Sequence, residues 1–302
     1  MSVVTPEKYI AAQAKKEHPV LPEQLEALRN FLTNPTIPIS KVAEDLTAPV
    51  IELHQKTKQD PDILHKFDHG TLWESISDAV RQLTDFNDRL VDLVTAIQKV
   101  PDPEGHFASM VDYTQYWTEF AYDFKVPRSN DPDREAKAQA WVNINAFCSK
   151  ISTRRVPVLD ERERAAWVLK ETLEMAPWEE FHHSDLDEKL EEYPDDEVVA
   201  EQCQYELECR DVRVLDYWAP AAAVWMKIDA KGIYDMEGKI SEADEQDWYP
   251  TTWKGPKGWS KDRFSYWIER FEWISKVTAL KMSTRKDAAE AAESMKKVVK
   301  GN

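Results

Sequence analysis

The segment TLWESISDAVRQLTDFNDRLVDLVTAI, residues 71–97, has the pattern of an amphipathic helix. Its apolar residues mostly recur every three or four positions and include Ile76, Val80, Leu83, Leu90, Val94 and Ile97. This spacing places them on one face of an α-helix. Thr71 with Glu74 three residues later matches a capping box, which marks a helix start. The segment therefore predicts a long helix with one buried face.

Helix signals recur along the rest of the chain. Pro22 follows Leu21 in a first-turn position, Asp131-Pro132 opens a segment that runs to Ile151, and Asp160 with Glu163 caps the next one. Further helices are expected at about 194–210, 211–230, 260–279 and 284–300. With only seven glycines and no alternating segments joined by Asn-Gly or Asp-Gly turns, evidence for β-hairpins is missing.

These patterns predict an all-α fold, a single multi-helix bundle or array of about 9–11 helices. We expect one domain over residues 1–302, with N-terminal helices in 1–60 and a last helix at 284–300. Residues 231–260 are the one long irregular connection, and loops of that length are often functional.

Charge and hydropathy exclude several classes of partner. The formal net charge of −17 repels phosphate backbones and anionic lipid headgroups, which argues against nucleic acid or a membrane surface. The longest uncharged apolar run, Tyr217 to Met226, is about half of the ~20 residues that a membrane span needs. The N-terminus lacks the apolar region of a secretory signal. A cytoplasmic protein is therefore expected, with Cys148, Cys203 and Cys209 as reduced thiols.

The acidic stretch WEEFHHSDLDEKLEEYPDDE, residues 178–197, sets His182 and His183 among ten carboxylates. Glu180-x-x-His183 matches one part of a di-iron carboxylate motif, but that chemistry needs the motif on two helices and two further glutamates. We interpret the stretch as a solvated helix junction. No metal and no cofactor is predicted.

Tryptophan is the most informative residue type here. Trp248, Trp253, Trp259, Trp267 and Trp273 fall within 26 residues, and helical spacing puts Trp267 with Phe264, Ile268, Phe271 and Ile274 on one apolar face. One interpretation is a core of large aromatic residues. The other is a ligand pocket with three tryptophan walls and three cationic side chains that contact an anionic or amide-bearing ligand. The predicted pocket residues are Trp253, Lys254, Trp259, Arg263, Trp267 and Arg270.

Asn143 and Asn145 raise the same question in the sequence WVNINAF. Trp141, Ile144 and Phe147 fill one helical face, which leaves Asn143 off it and Asn145 near its edge. A semi-buried asparagine can fix helix register by hydrogen bonding. The alternative is a ligand contact, and Asn143 joins the predicted site on that basis.

Three stretches carry a resemblance to a known family. WKGPKGWSKDRFSYWIERF at 253–271, AQAWVNINAFCSKIS at 138–152 and WAPAAAVWMKIDAKGIYD at 218–235 resemble an uncharacterised domain-of-unknown-function family found mainly in filamentous fungi. The shared motif is a Trp-Lys-Gly turn, a Ser-x-x-Arg helix start and a helix rich in Trp and Arg. The resemblance covers about residues 60–280, the family-like core, and implies no activity, because none is established for that family.

The sequence supports three functional hypotheses. The first is an interaction or small-ligand-binding module with an aromatic-lined pocket. The alternative is an enzyme of fungal specialised metabolism that acts on a small molecule without a recognisable catalytic motif. The third is a helical partner-binding protein whose acidic segment, residues 179–201, contacts a basic protein. The expected partners are thus a small molecule or a protein.

Overall fold

A computed structural model describes residues 4–17, 19–57, 69–113, 125–240 and 251–301. Thirteen α-helices form in these residues, and the described part of the chain contains no strand. The all-α prediction is confirmed. The helices are α1 (Pro6–Gln13), α2 (Pro22–Thr33), α3 (Ile39–Thr57), α4 (His69–Gln82), α5 (Asn87–Ile97), α6 (His106–Ser109), α7 (Arg134–Ser152), α8 (Arg162–Leu173), α9 (Ser184–Glu192), α10 (Glu197–Arg210), α11 (Leu215–Tyr234), α12 (Lys261–Ile274) and α13 (Met282–Lys300).

The capping box predicted at Thr71 is wrong, because α4 already begins at His69. The single long helix predicted for this segment is also two helices, α4 and α5, joined by a 3-10 turn at Thr84–Phe86. The backbone of Leu83 leaves the helical region there, with φ −112° and ψ 74°. The apolar spacing continues across the break because both helices bury their apolar faces.

Residues 1–125 together with 156–159 make up a first compact unit. In it α3 packs against α2 and α5, and the side chains of Leu28, Phe31, Leu46 and Leu90 are buried. Pro49 lies inside α3, which continues through it to Thr57.

Residues 126–155 and 160–302 make up a second compact unit, in which α11 is central. This helix packs against α7, α8 and α13, and residues 221–223, three alanines, are completely buried. Small side chains allow the neighbouring helices to approach closely. Asn145 links two of the helices, since its Oδ1 accepts a hydrogen bond from Trp225 Nε1 at 2.8 Å. This contact between helices is of the kind by which a buried asparagine can fix helix register.

The single-domain prediction for residues 1–302 remains a prediction, and so does the cytoplasmic location. No helix in the described ranges is both long and apolar enough to cross a lipid bilayer. All three cysteines are free thiols, as expected.

Candidate functional site

The start of α12 has the geometry that its sequence predicts. Ser260 is the N-cap, and its Oγ accepts a hydrogen bond from the backbone N–H of Arg263 at 3.1 Å. This bond satisfies one of the amide groups left open at a helix start. It also places Arg263 in the first turn, on the buried side of the helix.

Arg263 forms a buried ion pair with Glu174, which follows the last residue of α8. Its Nε and Nη2 donate to the two carboxylate oxygens at 2.6 and 2.9 Å, and Trp267 Nε1 donates to the same carboxylate at 2.7 Å. The side chains of Arg263 and Glu174 are 3% and 1% exposed. The remaining guanidinium nitrogen, Nη1, donates to the Gly258 carbonyl at 3.0 Å. Both charges are thus hydrogen-bonded inside the unit, as buried charges require.

The backbone of Glu174 holds a second segment in place. Its carbonyl oxygen accepts hydrogen bonds from the N–H and the Oγ1 of Thr252, both at 2.7 Å. Thr252 Oγ1 in turn accepts a hydrogen bond from Tyr266. We call Glu174, Thr252, Arg263 and Trp267 the Glu174 cluster. It joins the end of α8, the segment before α12, and α12 itself.

The two buried tryptophans of the predicted pocket belong to the interior. Trp259 and Trp267 are 7% and 1% exposed, and their rings meet edge to face with centroids 6.1 Å apart. Gly258 has φ +94°, and a Cβ there would lie 2.3 Å from the Gly238 carbonyl oxygen. This close approach lets the Trp259 N–H donate to that oxygen at 2.8 Å. The turn therefore needs glycine at position 258.

The other predicted residues occupy different surroundings. Trp253 donates from Nε1 to the Pro256 carbonyl at 3.0 Å, and its ring packs against the Tyr266 ring at an interplanar angle of 45°. Arg270 donates to the Leu173 carbonyl at 2.9 Å and lies over the Trp273 ring. Asn143 is buried on α7, where its Oδ1 accepts a hydrogen bond from Gln139 at 2.9 Å.

Three residues of the predicted pocket belong to the interior of the second unit. Trp259 packs against Trp267 there, and Glu174 supplies the negative charge that binds the Arg263 guanidinium and the Trp267 indole. Of the seven predicted residues, Lys254 lines a cleft in the described part of the second unit. The assignment of ligand contacts to the other six stays a prediction without support from this packing.

That cleft lies beside the Glu174 cluster and has a volume of about 360 Å³. We call it the Lys254 cleft. Its lining residues are Ala176, Pro177, Glu179, Glu180, His183, Arg210, Thr251, Thr252 and Lys254. Thr252 belongs to both the cleft and the Glu174 cluster. An isolated β-bridge between Met175 and Thr251 also holds the backbone of the cleft lining next to Thr252.

The charged groups of the cleft are held by specific contacts. Arg210 donates from both terminal nitrogens to Asp185, at 2.8 and 2.6 Å. These bonds lower the pKa of Asp185 to about 2, although its slight burial acts in the opposite direction. Lys254 Nζ donates to the Thr251 carbonyl at 2.7 Å. The lining thus offers two carboxylates, an ammonium group, a guanidinium group and an imidazole.

His183 is the imidazole of the cleft, and it precedes α9 as the N-cap residue. Ser184 is the first residue of that helix. The Nδ1 atom of His183 is buried and has no hydrogen-bond partner among the described residues. A buried polar atom of this kind is unusual in a folded protein and suits a group that receives a ligand or a water molecule.

Sequence reasoning missed Glu174 and the two threonines. Glu174 is the single acid in the run TLEMA, residues 172–176, whose other members are apolar or small. An acid in such a run is a recognisable signal for a buried and paired carboxylate. Nothing in the sequence shows that its partner lies 89 positions later, at Arg263.

Comparison with known proteins gives one result. A family model described as "Protein of unknown function (DUF3632)" matches residues 73–271, about two thirds of the chain. The three stretches that carry the resemblance all lie inside this range. No curated protein and no solved structure gives a significant match.

Proposed function

Because the chain belongs to the DUF3632 family of proteins of unknown function, we propose its function from its own residues: it binds a small polar molecule in the Lys254 cleft. The observation that carries this proposal is the meeting of His183, Arg210 and Lys254 in a concave site of about 360 Å³. Ligand sites commonly have volumes of roughly 300–1,000 Å³ with a few convergent polar groups.

The lining favours a ligand with an anionic or amide group. Lys254 and Arg210 can donate hydrogen bonds to a carboxylate or a carbonyl oxygen, and the hydroxyls of Thr251 and Thr252 can donate or accept. Glu179 and Glu180 are both exposed and accept only. A molecule that carries both donors and acceptors, such as an amide or an amino acid derivative, fits this set.

The Glu174 cluster gives the cleft a rigid wall. Thr252 is held at the Glu174 carbonyl by two hydrogen bonds, and the buried ion pair fixes Glu174 in turn. Groups that are already ordered lose less conformational entropy on binding. In this proposal the tryptophans and Arg263 therefore support the site without touching the ligand.

Native mass spectrometry of protein purified gently from its own host tests the proposal. We expect a reproducible added mass that is lost in the Lys254→Ala and His183→Ala variants. The matched control is Lys239→Ala, which removes an exposed lysine outside the cleft. After elution and return of the molecule, Lys254→Ala should bind it at least about tenfold more weakly, which is about 1.4 kcal/mol.

Two outcomes decide against simple binding. If no preparation carries an added mass and no carboxylate or primary amide in a panel raises the Tm, the cleft is not a ligand site. If the bound molecule is converted during incubation and His183→Ala stops the conversion, the cleft is an active site. The second outcome would support the alternative hypothesis that the protein is an enzyme.

A second candidate function, protein binding, is favoured by a different observation. Five of the exposed large apolar side chains come from residues 181–207: Phe181, Leu190, Tyr193, Val198 and Leu207. Phe181 is 97% exposed and Val198 is 69% exposed. The overlapping segment 179–201 holds eleven acidic residues and one lysine. Apolar side chains among acids suit a basic amphipathic segment of a partner protein.

Fluorescence anisotropy with a basic amphipathic helical peptide tests this second candidate. Binding should weaken in the Phe181→Ser and Val198→Ser variants and fall as salt screens the acidic side chains. Met282→Ser is the matched control, because Met282 is 81% exposed and lies outside the acidic segment. Equal binding by all three variants would rule out the acidic segment as the contact surface.

A further inference from the structure

Two histidines and a glutamate meet in the first unit, far from the Lys254 cleft along the chain. His54 lies in the last turn of α3, Glu104 lies in the loop before α6, and His106 is the first residue of α6. One ligand atom from each of the three residues lies within 4.8 Å of the other two. We call these residues the His54 cluster.

The distances in the cluster are close to those of a tetrahedral metal site. Bonds of about 2.0–2.2 Å separate neighbouring ligand atoms by about 3.3–3.6 Å, and the centroids of two zinc-bound imidazoles by about 5 Å. His106 Nε2 lies 3.2 Å from Glu104 Oε2. The ring centroids of His54 and His106 are 5.2 Å apart, with the ring planes at 85°. The ligand atoms lie within 4.8 Å of one another, so the widest pair needs to close by at most about 1.5 Å.

The loop that carries Glu104 and His106 is held by Asp102. Its carboxylate accepts hydrogen bonds from the backbone N–H groups of Glu104, His106 and Phe107, each at 3.0 Å. Partial burial acts to raise the pKa of Asp102, but these bonds outweigh it and lower the pKa. Gly105 takes φ +71° between the two ligand residues, which permits the turn. Glu104 and His106 are therefore presented from an ordered loop.

A small concavity surrounds the cluster. It is lined by His54, Glu104 and His106 together with Asp102, Ile51 and Phe107. The side chains of His106 and Glu104 are 29% and 33% exposed, so an ion can reach them from solvent. Two imidazoles and one carboxylate form the donor set of open zinc sites, which keep a fourth position for water or a substrate.

We propose that the His54 cluster binds one divalent transition metal ion, with zinc as the ion that best fits two imidazoles and a carboxylate. No metal was predicted from the sequence, because His54 and His106 are separated by 52 positions of chain. The site lies in the first unit and shares no residue with the Lys254 cleft. This proposal is therefore independent of the proposed function.

Zinc titration of protein that carries no histidine tag tests the site. Competition with a chromophoric chelator should give one zinc ion per chain in the unaltered protein. His54→Ala and His106→Ala should abolish stoichiometric binding at micromolar zinc, and Glu104→Gln should weaken it at least tenfold. The matched control is His182→Ala, since the His182 side chain is 78% exposed and lies outside the cluster.

Cobalt substitution reports the coordination geometry directly. A four-coordinate cobalt ion absorbs visible light strongly, whereas an ion held loosely at an octahedral surface site absorbs weakly. We expect the strong absorption in the unaltered protein and its loss in Glu104→Gln, an exchange in a half-exposed loop residue that leaves the helices intact. Circular dichroism checks that each variant is folded.

The proposal is overturned if the unaltered protein binds no zinc at micromolar concentration. It is equally overturned if folded His54→Ala, His106→Ala and Glu104→Gln variants all bind zinc as tightly as the unaltered protein. In either case the cluster is an ion pair between His106 and Glu104 with the His54 ring packed edge-on against it.

Discussion

Glu174 joins three segments of the second unit through both its side chain and its backbone. Its carboxylate accepts hydrogen bonds from Arg263 and Trp267, and its carbonyl accepts two from Thr252. Removal of one member of a buried ion pair leaves the other charge without compensation, which costs more than the pair itself contributes. Replacing Glu174 alone should therefore lower the free energy of unfolding more than replacing Glu174 and Arg263 together.

Glu174→Gln tests this sensitivity. We expect a loss of about 3–5 kcal/mol in the free energy of unfolding, because the Arg263 guanidinium stays buried without a counter-charge. Urea denaturation measures the change. The exposed exchange Glu237→Gln should stay within about 0.5 kcal/mol. A double variant, Glu174→Gln with Arg263→Met, should be more stable than Glu174→Gln alone. A single variant as stable as the unaltered protein would contradict the role assigned to the pair.

Thiol reactivity provides a second test at the residue scale. Cys148 and Cys203 are buried, whereas Cys209 is partly exposed. Burial raises the pKa of the Cys148 thiol, and partial burial raises the pKa of the Cys209 thiol. In the native protein we expect slow alkylation of Cys209 alone, since the thiolate is the reactive species. Mass spectrometry should find all three thiols modified after denaturation. Rapid native labelling of Cys148 would contradict the packing around α7.

At the scale of the element, α11 has a kink at Asp229. Asp229 leaves the helical region inside the helix, with φ −129° and ψ 32°. Its carboxylate pairs with Arg162 Nε at 2.7 Å, and the two side chains are 6% and 4% exposed. The same carboxylate folds over Gly232, where a Cβ would lie 2.2 Å from Oδ1. Position 232 thus favours glycine because the Asp229 side chain lies so close, and not because of its own φ and ψ angles.

Gly232→Ala measures this constraint. In an ordinary helix the change would stabilise by about 0.5–1 kcal/mol. Here the added methyl group should push Asp229 away from Arg162 and destabilise the protein by about 1–3 kcal/mol, as overpacking does. The control is the same exchange in an Asp229→Ala background, where the cost should vanish. A Gly232→Ala variant that is more stable than the unaltered protein would show that Asp229 moves aside freely.

At the scale of the whole molecule, the organisation of residues 1–302 is the main open prediction. The chain contains two compact units, each with a core of its own. The single-domain prediction requires that both unfold in one cooperative transition. Because the Glu174 cluster lies entirely in the second unit, a change there can separate the two possibilities.

Calorimetry of the unaltered protein and of Glu174→Gln is the appropriate measurement. One domain predicts one transition, with equal calorimetric and van't Hoff enthalpies, that moves as a whole in the variant. Independent domains would instead give two transitions, of which the variant moves one. His182→Ala, an exposed exchange, should leave the profile unchanged.

The sequence by itself determined the features that depend on near neighbours along the chain. Apolar spacing predicted the helices, and the aromatic face of α12 is largely buried as its spacing requires. These properties arise within one or two helical turns, where the period of the backbone alone decides which side chains share a face.

Only the tertiary structure decided which distant side chains meet. Glu174 neutralises Arg263 in a buried ion pair, Thr252 joins this cluster to the Lys254 cleft, and His54 meets His106 from 52 positions away along the chain. Helical periodicity shows which face of a helix is apolar, but it does not show which helix packs against that face. That choice depends on how all the helices fit together at close packing, which no local pattern contains.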